Sequence, residues 1–351
     1  MQVYFNGTLF KRNLLRFWPL AVVSLLAALL IFVIPEVISQ RDGNRAFSQY
    51  GTIFWGPKDI MSPLAIYSSV VAFTLSIFAA IAVFGYLHNP KAAGFVSSLP
   101  VSRIGLYVTN WLSGLALILV PALLVGVFYG FLLIGQPVPS GDFLRWIGAL
   151  VASHLIFYSI AVFLTFLTGN PVMQAFLYGM FNFICYALYL VVVAVASTFV
   201  FGYSSPIDSP GVAFVFWLTP PAAVIDMIRQ MIPMMPAVFQ SVSSGTYTPP
   251  GYLFWIIYLV FAVLMIVSGY LLYKRRHIES AGEIIVHRVV KSVFKYLIGL
   301  FSGVILALMM MLLLVGGQLQ AVASRMGWFT SMMIVFGLLA AFLPKCLYES
   351  V

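Results

Sequence analysis

Residues able to do acid–base or metal chemistry are few in this chain, and they lie far apart. The histidines are His88, His154, His277 and His287, and the cysteines are Cys185 and Cys346. No H-E-x-x-H, C-x-x-C or G-x-S-x-G occurs, so neither a zinc-ligand spacing nor a nucleophile elbow is present. None of the lysines directly follows a glycine, as a phosphate-binding loop G-x-x-x-x-G-K-[ST] would require. No catalytic residue, bound cofactor or metal is therefore expected on this chain. His154 alone falls inside a long apolar run, where an ionisable residue is a functional candidate by default. Next to Ser153 and near Tyr158, a neutral hydrogen-bonded packing role is the commoner reading. A place on a translocation path is the sharper one.

Composition fixes the solvent around these groups. Of 351 residues, 62% are hydrophobic and 8% charged, with a mean hydropathy of +1.06. A soluble domain carries roughly a quarter charged residues, so this chain cannot cover itself for water and its solvent is lipid. The net charge of +9 then reads as basic loops on one face of a membrane rather than a nucleic-acid surface. Two distant cysteines imply no disulfide framework.

A helical span needs about 20 mostly apolar residues. Eight candidates centre on Pro19–Ile34, Leu64–Tyr86, Leu106–Ile134, Ile147–Leu167, Phe176–Val200, Leu253–Tyr273, Tyr296–Val315 and Phe329–Phe342. Lys11, Arg12 and Arg16 precede a first run longer than a signal-peptide core, and no small-residue cleavage site follows, so the expectation is a membrane span. With the N-terminus inside, twelve Lys/Arg and three acids fall on the inner face, against six and six outside. That asymmetry orients the chain, so a multi-pass cell-membrane protein with both termini cytoplasmic is expected. The tryptophans fall mostly near span ends, as an interfacial belt requires. Gly126 and Gly130 are spaced for close helix approach. In the loop between spans five and six, Pro220 and Pro221 are placed to start an amphipathic helix at or dipping into the outer interface, either handling substrate or plugging the bundle.

The inner loop after span two reads "HNPKAAGFVSSLPVSR", residues 88–103. Asn89 can cap a helix, and Pro90 suits its first position, where a missing N–H costs nothing. Lys91–Ser98 makes about two turns. Phe95, Val96 and Leu99 can lie against the membrane or a partner, Pro100 stops the turn, Ser102 can cap the next helix, and Arg103 anchors its inner end. The spacing predicts a short, rigid helix across the membrane surface, either a capped interfacial loop or a docking knob for a cytoplasmic protein.

Three features occur in a particular order: the basic amphipathic "LFKRNLLRFW" (9–18) before span one, "SSLPVSRIGLY" (97–107) after span two, and "LYKRRHIESAGE" (272–283) after span six. This arrangement resembles the permease subunits of bacterial ABC-2-type ABC exporters. In many of these an S-L-P-(I/V)-S/T-R segment follows span two and a Y-x-x-R-x-x-E-x-A-G tail closes span six. Here the tail positions are Tyr273, Arg276, Glu279, Ala281 and Gly282. The resemblance implies an all-α polytopic fold, a six-helix bundle with an N-terminal interfacial helix, over residues 1–285. Residues 286–351 depart from it by adding two C-terminal transmembrane helices. It further implies that Pro90, Lys91, Phe95, Ser98, Leu99, Pro100 and Arg103 form the coupling helix that docks on an ATPase. ATP and magnesium would bind on that partner ATPase dimer, and a second permease, identical or different, would complete the assembly. The alternative is an ion-coupled secondary transporter. It usually needs acids near the midplane, and none of the eight apolar cores contains one.

Overall fold

The computed structural model describes residues 5–34, 61–98, 100–132, 134, 140–199, 210–231, 251–276 and 291–292. Spans seven and eight of the sequence reading, together with Leu99, Glu279 and Gly282, lie outside them. The described residues form α1 (Gly7–Arg16), α2 (Trp18–Ala28, running on into a π-helical turn Leu29–Val33), α3 (Met61–Phe84), α4 (Pro90–Ser97), α5 (Arg103–Leu132), α6 (Ser140–Thr165), α7 (Pro171–Phe199), α8 (Pro210–Leu218), α9 (Pro220–Met231) and α10 (Gly251–Arg275). Five stretches are long and apolar enough to cross a membrane: Ser68–His88, Arg103–Leu132, Phe143–Thr165, Pro171–Val193 and Trp255–Arg275. A bent α1–α2 pair makes a sixth if counted as one span. This is the make-up of an all-α, multi-pass membrane protein.

Contacts divide the chain into two compact units: Met1–Asn182 with Thr219–Ile284, and Phe183–Leu218 with Ile285–Val351. In the second, the ring of Tyr186 packs on Tyr189 and Phe216 at centroid distances of 6.4 and 5.7 Å.

In the first unit α6 is the central post. It packs against α3, α5, α9 and α10, and Ile156, Phe157, Tyr158, Ile160, Ala161 and Val162 are all buried. A helix apolar on every side can bury every side. α3 meets it with small residues. Ser68, Ala72, Ser76 and Ala80 recur every fourth position, all fully buried, which lets backbones approach closely. Their hydroxyls stay internally satisfied, as where Ser76 Oγ donates to the Ala72 carbonyl at 2.6 Å. Gly126 and Gly130 also serve contacts within the chain: a Cβ there would meet Ile147 and Phe143 of α6.

The break between α1 and α2 comes from Pro19, which has no N–H to continue the ladder, and the two helices meet at 63°. Pro121, by contrast, sits inside an unbroken α5. Ser24 of α2 donates to the Ile118 carbonyl, three residues before that proline, at 2.9 Å. That bond ties α2 to α5 one residue beyond Leu117, whose carbonyl is the one Pro121 leaves without an N–H.

One sequence expectation needs correction, and one open alternative is resolved. Trp146 belongs to no interfacial belt: it is 0% exposed, boxed by Phe32, Tyr129 and Phe143. Its place near a span end looked like anchoring, but aromatic burial among helices dominates. α9 does start at Pro220, yet its apolar residues Ala223, Val224, Met227 and Ile228 are buried. It packs on α3 and α10, so this face serves the bundle.

Candidate functional site

α4 is a two-turn helix whose ends are satisfied by its own neighbours. Asn89 has extended backbone, and its side-chain oxygen accepts from the Lys91 N–H at 3.0 Å. Pro90 occupies the first turn, where its absent N–H leaves nothing unpaired. At the other end the Ser97 and Ser98 hydroxyls fold back onto the carbonyls of Gly94 and Phe95, each at 2.8 Å. The same two carbonyls also accept from the Ser98 backbone N–H, so the hydroxyls are additional donors at this helix end. Ser102 then caps α5 by accepting from the Gly105 N–H at 3.2 Å. The grammar of residues 89–103 is thus realised locally.

Positions 91, 95 and 98 follow helical spacing and form one outer face. Lys91, Ser98 and Pro100 are exposed, and Phe95 is 64% exposed. The inner face carries Ala93, which is buried, and Val96. The ring of Phe95 is thus left largely uncovered by the described residues.

The turn that leads into α4 is held by the end of α10. Arg276 follows that helix directly and is only 8% exposed. One guanidinium nitrogen donates to the Thr165 carbonyl at 2.9 Å and the other to the Leu87 carbonyl at 3.2 Å. Thr165 is the last residue of α6, and its carbonyl lacks a helical partner. Leu87 lies in the 3-10 turn Gly85–His88 that joins α3 to α4. Arginine suits this work because its planar fork offers several donors in fixed directions. Arg103 at the start of α5 makes the reciprocal tie, donating to the Lys274 carbonyl in the last turn of α10 at 2.9 Å. Expected as an anchor for its own span, Arg103 in fact joins two spans.

Tyr273 is both the end of the sixth apolar run and the first position of the tail motif. It lies inside α10 and is buried. The Tyr86 hydroxyl donates to its hydroxyl at 3.2 Å. Tyr107, Phe166 and Tyr273 pack ring to ring at 5.4–6.1 Å. Tyr107 OH also donates to the Ile266 carbonyl at 2.7 Å. Gly269 permits that reach, since a Cβ there would stand 3.1 Å from the Tyr107 oxygen. Sequence reasoning missed Tyr86, Tyr107 and Thr165. The signal available was three tyrosines at the ends of different spans, which reads equally as interfacial anchoring.

Beneath α4 is a cavity of about 90 Å³, lined by Tyr86, Ala93, Val96, Arg103, Tyr273 and Arg276 among others. A small-molecule site takes roughly 300–1,000 Å³, so this space is slack under a helix rather than a substrate pocket. Among the described residues no three His, Cys, Asp or Glu gather as a metal site would require.

His154 stands apart from this cluster, about 16 Å along α6 from Thr165 at 1.5 Å per residue. It is buried, and its Nδ1 lies 2.8 Å from the Leu150 carbonyl. A carbonyl can only accept, so Nδ1 carries the proton. Its Nε2 is buried without a hydrogen-bond partner, as packing against apolar neighbours would leave it.

The structure therefore brings together Pro90, Lys91, Phe95, Ser98, Arg103, Tyr273 and Arg276 around one short helix, and leaves His154 elsewhere. No protein-family model matches the chain, and no curated protein matches it in sequence.

Proposed function

We propose that this chain is the membrane-spanning permease subunit of an ATP-driven exporter of the ABC-2 type, coupled through α4 to a separate ATPase subunit. The observation that supports this most is the connection of α4. The turn that leads into α4, a capped helix with Lys91 and Phe95 exposed, is tied by Arg276 to the end of α6. Arg103, at the head of α5, is tied to α10. A push on α4 would reach the ends of several spans through the turn at Leu87 and the hydrogen bonds that Arg276 makes there.

In this reading the α4 end is cytoplasmic and both termini lie there. ATP and magnesium bind on the partner ATPase dimer, whose closure moves α4. A second permease faces the first, and residues 286–351 add two spans to an ABC-2-type region at 1–285. Transport then requires that substrate bind differently to the inward- and outward-facing packings. Ion-coupled transport is less favoured, because none of the five described spans carries Asp or Glu.

The test is energetic. Vesicles containing this chain should transport only when an ATPase bearing a phosphate-binding loop copurifies, the first candidate being the product of the neighbouring reading frame. Transport driven by an ion gradient in vesicles free of any ATPase overturns the proposal.

A further inference from the structure

We infer that the basic face of α1 is a binding site for anionic phospholipid headgroups. α1 carries Lys11, Arg12 and Arg16, all exposed, with Leu15 between them at 66% exposure. At 100° per residue the four side chains share one side of the helix. The opposite side is fastened to α5. Asn13, buried, donates from Nδ2 to Asn110 Oδ1 at 2.8 Å and to Ser113 Oγ at 3.1 Å. The backbone N–H of Asn6 donates to Thr109 Oγ1 at 3.0 Å. The cations are therefore displayed on a fixed helix rather than on a loose tail.

Two observations identify the occupant. The first is charge. No described residue of α1 to α5 is Asp or Glu, so those helices supply no carboxylate for the three cations. The second is continuity with lipid-facing surface. Trp18, 60% exposed, opens α2 after a one-residue break from α1, and α2 with its π-helical turn then exposes Val22, Leu26 and Leu30 at helical spacing. Cations beside an exposed tryptophan, at the head of an apolar stripe, match the headgroup level of a bilayer. The 63° turn between α1 and the following helix takes α1 out of the line of that apolar stripe, so a span set across the bilayer leaves α1 inclined to it. A soluble acidic partner would account for the cations but not for Leu15 and Trp18 beside them.

The experiment uses the full chain in nanodiscs of phosphatidylcholine with about one-third phosphatidylglycerol, an anionic content near which each surface Lys/Arg contributes appreciably. Lipid retained after extraction into detergent is then weighed by mass spectrometry. Phosphatidylglycerol should be enriched over phosphatidylcholine, and less so at high salt. The K11Q/R12Q/R16Q variant should lose most of that enrichment, up to on the order of a hundredfold at about fivefold for each of the three cations. K11R/R12K/R16K should retain it, which separates charge from misfolding. K91Q/K274Q/R275Q, with the same change in net charge, should also retain it.

The assignment is overturned if the neutralised variant keeps its enrichment, or if the two neutralised variants lose it equally. It is overturned as well if millimolar glycerol phosphate displaces the lipid, since the site would then be one for free anions. Loss of a copurifying ATPase with unchanged lipid enrichment would give this face to a protein partner instead. None of these outcomes depends on whether the chain is an exporter.

Discussion

The guanidinium of Arg276 donates to the carbonyl of Leu87 across 189 residues of sequence. The same side chain holds Thr165, so a single residue joins the ends of α3, α6 and α10 behind α4. Arg276→Ala removes two charge-assisted bonds and leaves two carbonyls short of a donor. At about 1.5–3 kcal/mol for each such bond, a loss of about 3 kcal/mol is expected, read as a lower thermal midpoint in detergent. Arg276→Lys keeps the charge but loses the fork and should fall between wild type and alanine. A lysine variant as stable as wild type would mean that charge alone is what this position supplies.

Tyr158 and Gly114 make an opposite kind of prediction. A Cβ at Gly114 would overlap the Tyr158 hydroxyl, which is buried without a hydrogen-bond partner. Gly114→Ala should cost about 1–3 kcal/mol from overpacking. Tyr158→Phe removes a buried unsatisfied oxygen, so it should be neutral or stabilising. Combined with Gly114→Ala it should recover part of the loss. Thermal midpoints of the two single variants and the double variant close the cycle, and simple additivity would show that the two residues do not meet.

Orientation is predicted from charge alone. In a background lacking Cys185 and Cys346, cysteine at Ser98 should be protected from an impermeant thiol reagent added to intact cells, while cysteine at Ser140 should react. α5 is expected to cross the membrane between them, and the basic residues gather on the Ser98 side. The reverse labelling would put α4 outside and remove any cytoplasmic partner from it.

The parts of the fold that were legible in the sequence are those governed by local rules. Apolar runs gave the described spans, and the Asn89–Pro90 pair gave the start of α4, because capping and hydrophobic length act within a few residues. The clamp was not legible. Arg276 and Arg103 bind backbone carbonyls, and a carbonyl at residue 87, 165 or 274 looks like any other in a sequence. Tyr273 ends the sixth apolar run and begins the tail motif, and neither pattern says that its ring is buried among Tyr107 and Phe166. Trp146 was misplaced for a similar reason: nearness to a span end says nothing about which way a ring points.

The last prediction concerns the outer face of α4. Phe95 is exposed on a helix whose ends are already satisfied, so changing it should disturb little of what holds the chain together. Phe95→Asp with Leu99→Asp should leave expression and membrane insertion unchanged, because both positions lie between spans. If a partner docks here, its contact loses apolar burial and gains unpaired charge, which is costly in a desolvated interface. Partner copurification and transport should then fall together, by tenfold or more for a loss of about 1.4 kcal/mol or greater. Phe95→Leu, which keeps most of the apolar surface, should stay close to wild type. If the double aspartate variant holds its ATPase and transports normally, α4 is only a capped loop, and the ties made by Arg276 and Arg103 serve stability alone.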